Sequence, residues 1–240
     1  MHLKFLLGSL VVILIQSAWG QSNSSGVKAD TNWKAGDKYE YRSMDLYSRV
    51  AKKARPQIIV KVEDGKVFYA SGDITDLYGN EFQYANGDQL ANQEISPEEY
   101  FVGKEWRTVY TVTRHSQVPN VYEFSMHFVV EKIETITVPA GTFTAFKVEG
   151  TGNRRLISGN GPDDGRPVPM QATLTYWIAP EKLRRYVARE RVLRGSGSTR
   201  VTHVAFREEL TSYFQQIDVG KTSEGSPDKS TLSDDNQKAR

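Results

Sequence analysis

The sequence predicts an all-β protein, folded as a single curved antiparallel sheet, half-barrel or sandwich of mostly meander topology. Three observations carry this. Apolar and polar residues alternate with period two through the middle of the chain, the mark of strands with one buried face. Turn sequences rich in Gly, Asp and Pro punctuate the alternating runs. No long window places apolar residues at helical spacing, and only Ser96-Pro97-Glu98-Glu99-Tyr100 could open a single helical turn.

The clearest strand covers 121–130. Tyr122, Phe124, Met126, Phe128 and Val130 point one way, while Glu123, Ser125 and His127 point the other. The apolar phase then slips, with Ile133 on odd numbering and Ile136 and Val138 on even, so a β-bulge or bend is expected within 131–135. Further strands are predicted over 37–50, 57–63, 66–71, 105–114, 142–151, 170–179, 184–194 and 200–214. Asp64-Gly65 is a tight hairpin turn, and Pro139-Ala140-Gly141 folds the long strand back onto the next. Gly195-Ser196-Gly197-Ser198 joins the last two strands. The Gly- and Pro-rich stretch 158–169 is a long loop. Strands in this order must curl or stack to cover their apolar face.

The N-terminus has Lys4, an apolar run over 5–15 and then Ala18-Trp19-Gly20, which predicts a signal peptide over 1–20 cleaved after Gly20. The run is shorter than the roughly 20 residues of a spanning helix. A flexible leader is expected over 21–31, a single β domain over 32–217, and a disordered tail over 218–240, which is too polar to offset its ordering entropy. The chain contains no cysteine, which excludes thiol catalysis and thiolate metal sites and leans towards a bacterial envelope over a disulfide-rich eukaryotic exterior. A periplasmic or secreted location follows. The net charge of +2 gives no reason to expect nucleic acid, and no second segment could cross a bilayer as a helix.

Three passages belong together. Trp33, Gly36, Asp37, Tyr39 and Tyr41 precede Val138-Pro139-Ala140-Gly141-Thr142-Phe143, and Tyr176-Trp177-Ile178-Ala179-Pro180 follows. With these the chain resembles an uncharacterised family of exported bacterial β proteins with a V-P-A-G-T-F turn and a Y-W-x-x-P strand end. That family is distantly like the periplasmic lipoprotein carriers. The resemblance spans roughly 33–215 and implies a curved antiparallel sheet outside the cytoplasm; it brings no catalytic residues.

Residues able to support chemistry are sparse. His115, His127 and His203 form no close ligand pair, so no metal is expected. His127 belongs to a polar strand face, and His203 reads as a half-buried ring. There is no G-x-S-x-G elbow and no phosphate loop. Glu208 and Glu209 are adjacent in a strand and so face opposite sides. The expectation is a non-catalytic protein without a cofactor.

Two features stand out. Arg184, Arg185, Arg189, Arg191, Arg194 and Arg200 lie close together with only Glu190 as a counter-charge, and Arg185, Arg189 and Arg191 share parity, giving a basic stripe. It is either a solubilising sheet edge or a contact for anionic lipid or another envelope component. The second is a set of aromatics on strand faces. Phe124 and Phe128 as one wall, with Phe146 and Trp177 as another, could hold an apolar or amphipathic ligand on a curved sheet; packing between sheets would explain the same rings. The functions left open are lipid binding or carriage, cell-envelope assembly through protein contacts, and an envelope-polymer hydrolase with a site of unfamiliar pattern.

Overall fold

The computed structural model describes residues 26–53, 56–117, 119–159, 169–195 and 201–216. The signal peptide, the tail, Arg200, the Gly195-Ser198 turn beyond Gly195 and most of the 158–169 loop lie outside them. Fifteen strands run in chain order: β1 Val27–Lys28, β2 Lys38–Asp45, β3 Ala51–Lys53, β4 Gln57–Glu63, β5 Lys66–Tyr69, β6 Ile74–Asp76, β7 Glu81–Gln83 and β8 Gln89–Ala91. Then follow β9 Glu99–Tyr100, β10 Glu105–Thr113, β11 Val121–Val138, β12 Gly141–Ser158, β13 Met170–Ile178, β14 Tyr186–Gly195 and β15 Thr202–Phe214.

The sheet closes. Neighbouring strands pair antiparallel from β4 through β8 and from β10 to β15, and β15 then pairs with β2, from Phe206 opposite Asp45 to Phe214 opposite Lys38. With β2 also paired to β4, twelve strands form a barrel. The expected half-barrel or sandwich is therefore corrected to a closed barrel, which removes both free edges of the sheet. Periodicity could not reveal this, because closure joins the first long strand to the last across some 160 residues of sequence.

Where local chemistry decides, prediction and structure agree. Asp64 and Gly65 have φ of 50° and 72°, the two left-handed positions that a two-residue hairpin turn requires. The phase slip in the long strand is a register shift between Val130 and Lys132. At Ser96–Tyr100 the structure differs: Glu99–Tyr100 is a strand paired with Val27–Lys28, not a helical turn. Residues 27–28, placed in the flexible leader from sequence, are that strand's partner.

Beyond its bulge the β11–β12 hairpin leaves the barrel wall and packs on the structure's own outer face. Ala140 donates its backbone N–H to the Leu210 carbonyl at 3.1 Å. Ile136, Val138, Phe143 and Ala145 join a buried cluster with Trp177, Ala188 and Leu210. Tyr186, Val187 and Ala188 are consecutive in β14 and all buried, so both faces of the strand are covered there. Each large side chain so buried contributes about 1.5–3 kcal/mol as an upper figure.

A second cluster fills the interior between β10 and β14, around Tyr110, Phe124, Met126, Phe128, Val148 and Leu174. Phe128 is wholly buried, stacks on Trp106 at 5.2 Å and lies over Gly150, where any Cβ would come within 2.2 Å of its ring. Gly150 is there so that the ring can lie flat on the neighbouring strand. The outward faces of these strands carry many polar groups, with Arg107, Ser125, Thr151, Asn153 and Arg155 exposed and Glu123 paired with Arg155, beside the exposed Val109 and Ile157. Among the described residues no helix is long and apolar enough to cross a membrane.

Candidate functional site

The arginine stripe is real, but it points inwards. Along β14 the ladder sets Arg189 between Tyr176 and Glu208, and Arg191 between Leu174 and Phe206. Leu193, two residues on, is buried on the same face. The shared parity of Arg185, Arg189 and Arg191 was legible; the direction was not, because a closed barrel gives its inner face to residues that an open sheet would show to solvent.

Arg184 is not part of a surface stripe either. Its side chain is 6% exposed and bridges Asp30 at 2.9 Å and Asp37 at 2.6 Å, while its backbone N–H donates to Gln215. It latches the chain before β2 to the chain after β15, beside the seam that closes the barrel. Of the five that the structure describes, Arg194 alone is exposed; Arg200 lies outside the described residues.

The interior arginines differ in their company. Arg185 is buried, donates from Nη1 to the Tyr69 hydroxyl at 2.6 Å, and lies over the rings of Tyr69 and Tyr186. Arg189 donates to the Glu208 carboxylate and stacks on Tyr186, whose hydroxyl donates to the same Glu208 oxygen at 2.9 Å. Burial pushes the Glu208 carboxyl up, but the charge and hydrogen bond of Arg189 outweigh it and hold the group below the usual carboxylate range. Glu81, on β7 across the interior, goes the other way: burial raises it above that range although Arg189 and Arg185 pull it down. Arg191 has no ion pair among the described residues, and its buried Nε has no hydrogen-bond partner there.

Tyrosines line the space between. Tyr41 donates to the Tyr186 carbonyl at 2.9 Å. Burial pushes the hydroxyls of Tyr41, Tyr84, Tyr110 and Tyr176 above the ordinary phenol value, so they are neutral at physiological pH. Glu81, Tyr84 and Arg189 border a set of adjoining clefts. The widest, about 400 Å³, lies between the β7–β8 turn and the long strands, lined by Tyr84, Val112, Tyr122, Phe124, Arg191 and Leu193 among others. A neighbouring cleft of about 210 Å³ reaches Tyr41, Glu81 and Glu208.

The four aromatics proposed from sequence do not form two walls of one site. Phe124 lines the wide cleft, stacked on Tyr110 at 4.9 Å. Phe128 is core, and Phe146 is packed on Tyr100 at 5.8 Å. Trp177 faces away from the interior, where its indole N–H donates to Glu134 at 2.8 Å and Arg207 covers its ring. A one-residue alternation sends it to the other side from Tyr176. The glutamates do divide as expected, Glu208 inwards and Glu209 outwards to Arg42 and Arg207. His203 is exposed, not half-buried, and His127 meets Glu105 on the outer face at 3.1 Å. Among the described residues no group of three or more His, Asp or Glu is placed to hold a metal ion.

Sequence inspection missed Tyr41, Tyr69, Glu81, Tyr84 and Glu208. One signal was available: Glu208 has the parity of Phe206 and Leu210, so a charge sits on an apolar face and calls for a buried partner. No family model matches the chain, and no curated protein matches it. It is similar to two solved structures. One, from Bacteroides fragilis, is named as an exported protein with a YmcC-like fold; it is 11% identical with a TM-score of 0.46, the match covering 78% of this chain and all of that one. The other, named as a lipoprotein, is from Parabacteroides distasonis and is 13% identical, with a TM-score of 0.40 and coverage of 78% and 99%.

Proposed function

We propose that this barrel is a non-catalytic periplasmic or secreted protein that binds an amphipathic molecule in its interior. One observation supports this above the rest: the wide interior cleft of about 400 Å³ combines a tyrosine, phenylalanine and leucine lining with guanidinium groups. Its size is that of a small-molecule pocket, and its lining is divided between apolar residues, which can hold a tail, and charged ones such as Arg191, which can orient a headgroup. Both walls are strands or a short hairpin turn, so the cleft is largely preformed.

A fluorescent long-chain fatty acid is the probe. It should bind saturably, and unlabelled fatty acid should displace it. Ala85 is exposed at the rim of the cleft, so Ala85→Trp narrows the mouth without touching the core. The variant is expected to keep the parent's melting temperature and lose much of the binding. A parent protein that never binds the probe saturably overturns the proposal.

A further inference from the structure

Of the three interior arginines on and beside β14, two are occupied by the protein itself and one is not. Arg189 is held by Glu208, and Arg185, whose buried Nε like that of Arg191 has no acceptor, is clamped through Nη1 by the Tyr69 hydroxyl and by two aromatic rings. Glu81, across the interior, feels the charges of Arg189 and Arg185, which pull its carboxyl down against burial. Arg191 is the one of the three with neither an ion pair nor a side-chain hydrogen bond among the described residues.

Among the described residues the surroundings of Arg191 give it no ion pair. Its ladder neighbours Leu174 and Phe206 are apolar. The nearby phenols of Tyr84, Tyr110 and Tyr176 stay protonated and bring no negative charge. The two aspartates lining the same cleft are engaged elsewhere: Asp88 binds Arg114 at 2.7 Å, and Asp73 accepts from the Ser71 hydroxyl and the Ala85 N–H. A guanidinium whose Nε is buried without an acceptor is a group that a fixed structure normally pairs.

We infer that Arg191 is the anchor for an acidic headgroup, a carboxylate or phosphate, on an amphipathic ligand whose apolar part lies along Tyr84, Phe124 and Leu193. Arginine suits the task because its planar donors meet two anionic oxygens at once. The inference rests on the interior-binding reading given above and adds to it the sign of the ligand's charge and the residue that reads it.

The test compares two probes with one tail and one fluorophore, a long-chain fatty acid and its methyl ester, on the parent, Arg191→Met and Arg191→Gln. The parent should prefer the acid by roughly tenfold to a hundredfold, as a charge-assisted hydrogen bond inside a protein provides. In both variants the acid should fall to the ester's affinity, with the ester unchanged. Two substitutions of different polarity guard against one that fails to fold. Equal binding of acid and ester by the parent overturns the anion anchor while leaving interior binding standing; no binding of either probe overturns both. An acid preference that survives in the variants overturns the assignment to Arg191. Displacement of the acid probe by millimolar inorganic phosphate, as fully as by unlabelled fatty acid, overturns the amphipathic headgroup in favour of a free-anion site.

Discussion

The barrel has two unlike walls. From β10 to β15 the strands are 9 to 18 residues long and paired along most of their length, while from β5 to β8 they are 3 or 4 residues long, and β7 meets β8 at the single pair Gln83–Gln89. The long wall packs against itself, ring on glycine and ring on ring. The short wall has fewer inward positions, and beside the apolar Val67 and Leu90 it sends Tyr69, Glu81 and Tyr84 towards the interior. Phe128 and Arg191 show the contrast at one level of the barrel, since the ladder runs from Phe128 through Gly150 and Leu174 to Arg191. One end of that row is dry core and the other opens onto a cleft.

The largest expected effect breaks the dry end. Phe128→Ala removes a fully buried ring and leaves Trp106 and Gly150 facing a cavity. A loss of about 3–5 kcal/mol is expected, or roughly 6–20 °C in melting temperature for a domain of this size. A variant as stable as the parent would mean that the interior is not dry at Phe128 and that the two ends of the row are alike.

The same contrast governs what could be read in advance. The strands of the long wall are visible from alternation because each presents at least four residues to one face, and the β11–β12 hairpin follows from Pro139-Ala140-Gly141. The strands β6 to β9 hold two or three residues each among Gly, Asn and Asp, where turn signals swamp any period of two. The site lies where these walls meet, so only its long-wall half could be found: the arginines were noticed through their parity, whereas Glu81 and Tyr84 had no pattern to mark them. Which side the arginines face is a property of closure, and closure depends on β15 finding β2, a pairing written nowhere in local sequence.

A middle-sized effect sharpens the boundary between the walls. Glu208 and Arg189 have side chains 16% and 25% exposed, so their pairing is only partly shielded from solvent. Glu208→Gln leaves Arg189 without its carboxylate, and a loss of about 1–3 kcal/mol is expected, below the figure for a fully buried pair. The pH dependence has a definite sign. A carboxyl held below its unfolded value contributes stability that is present above that value, about 4.3, and is lost as pH falls through the lower folded value. Denaturant midpoints measured from pH 6 down to about 3 should therefore fall more steeply for the parent than for Glu208→Gln. Parallel curves would show that the pair does not discriminate between folded and unfolded chains.

The smallest expected effect is the most telling for the open end of the row. Arg191→Met replaces an unpaired guanidinium by an apolar side chain of comparable reach beside Leu174, Phe206 and Leu193. No ion pair is broken, and a buried Nε that lacks an acceptor is removed. Stability is expected to stay within about 0.5 kcal/mol of the parent or to rise slightly, since an uncompensated interior charge contributes nothing to folding and methionine adapts to irregular gaps. The urea midpoint measures this directly. A loss as large as that of Glu208→Gln would show that Arg191 holds the walls together, making the two arginines of β14 equivalent. An unchanged or raised midpoint separates them: Arg189 belongs to the structure, and Arg191 is kept at no benefit to the fold, as a residue is when it serves something that enters the barrel.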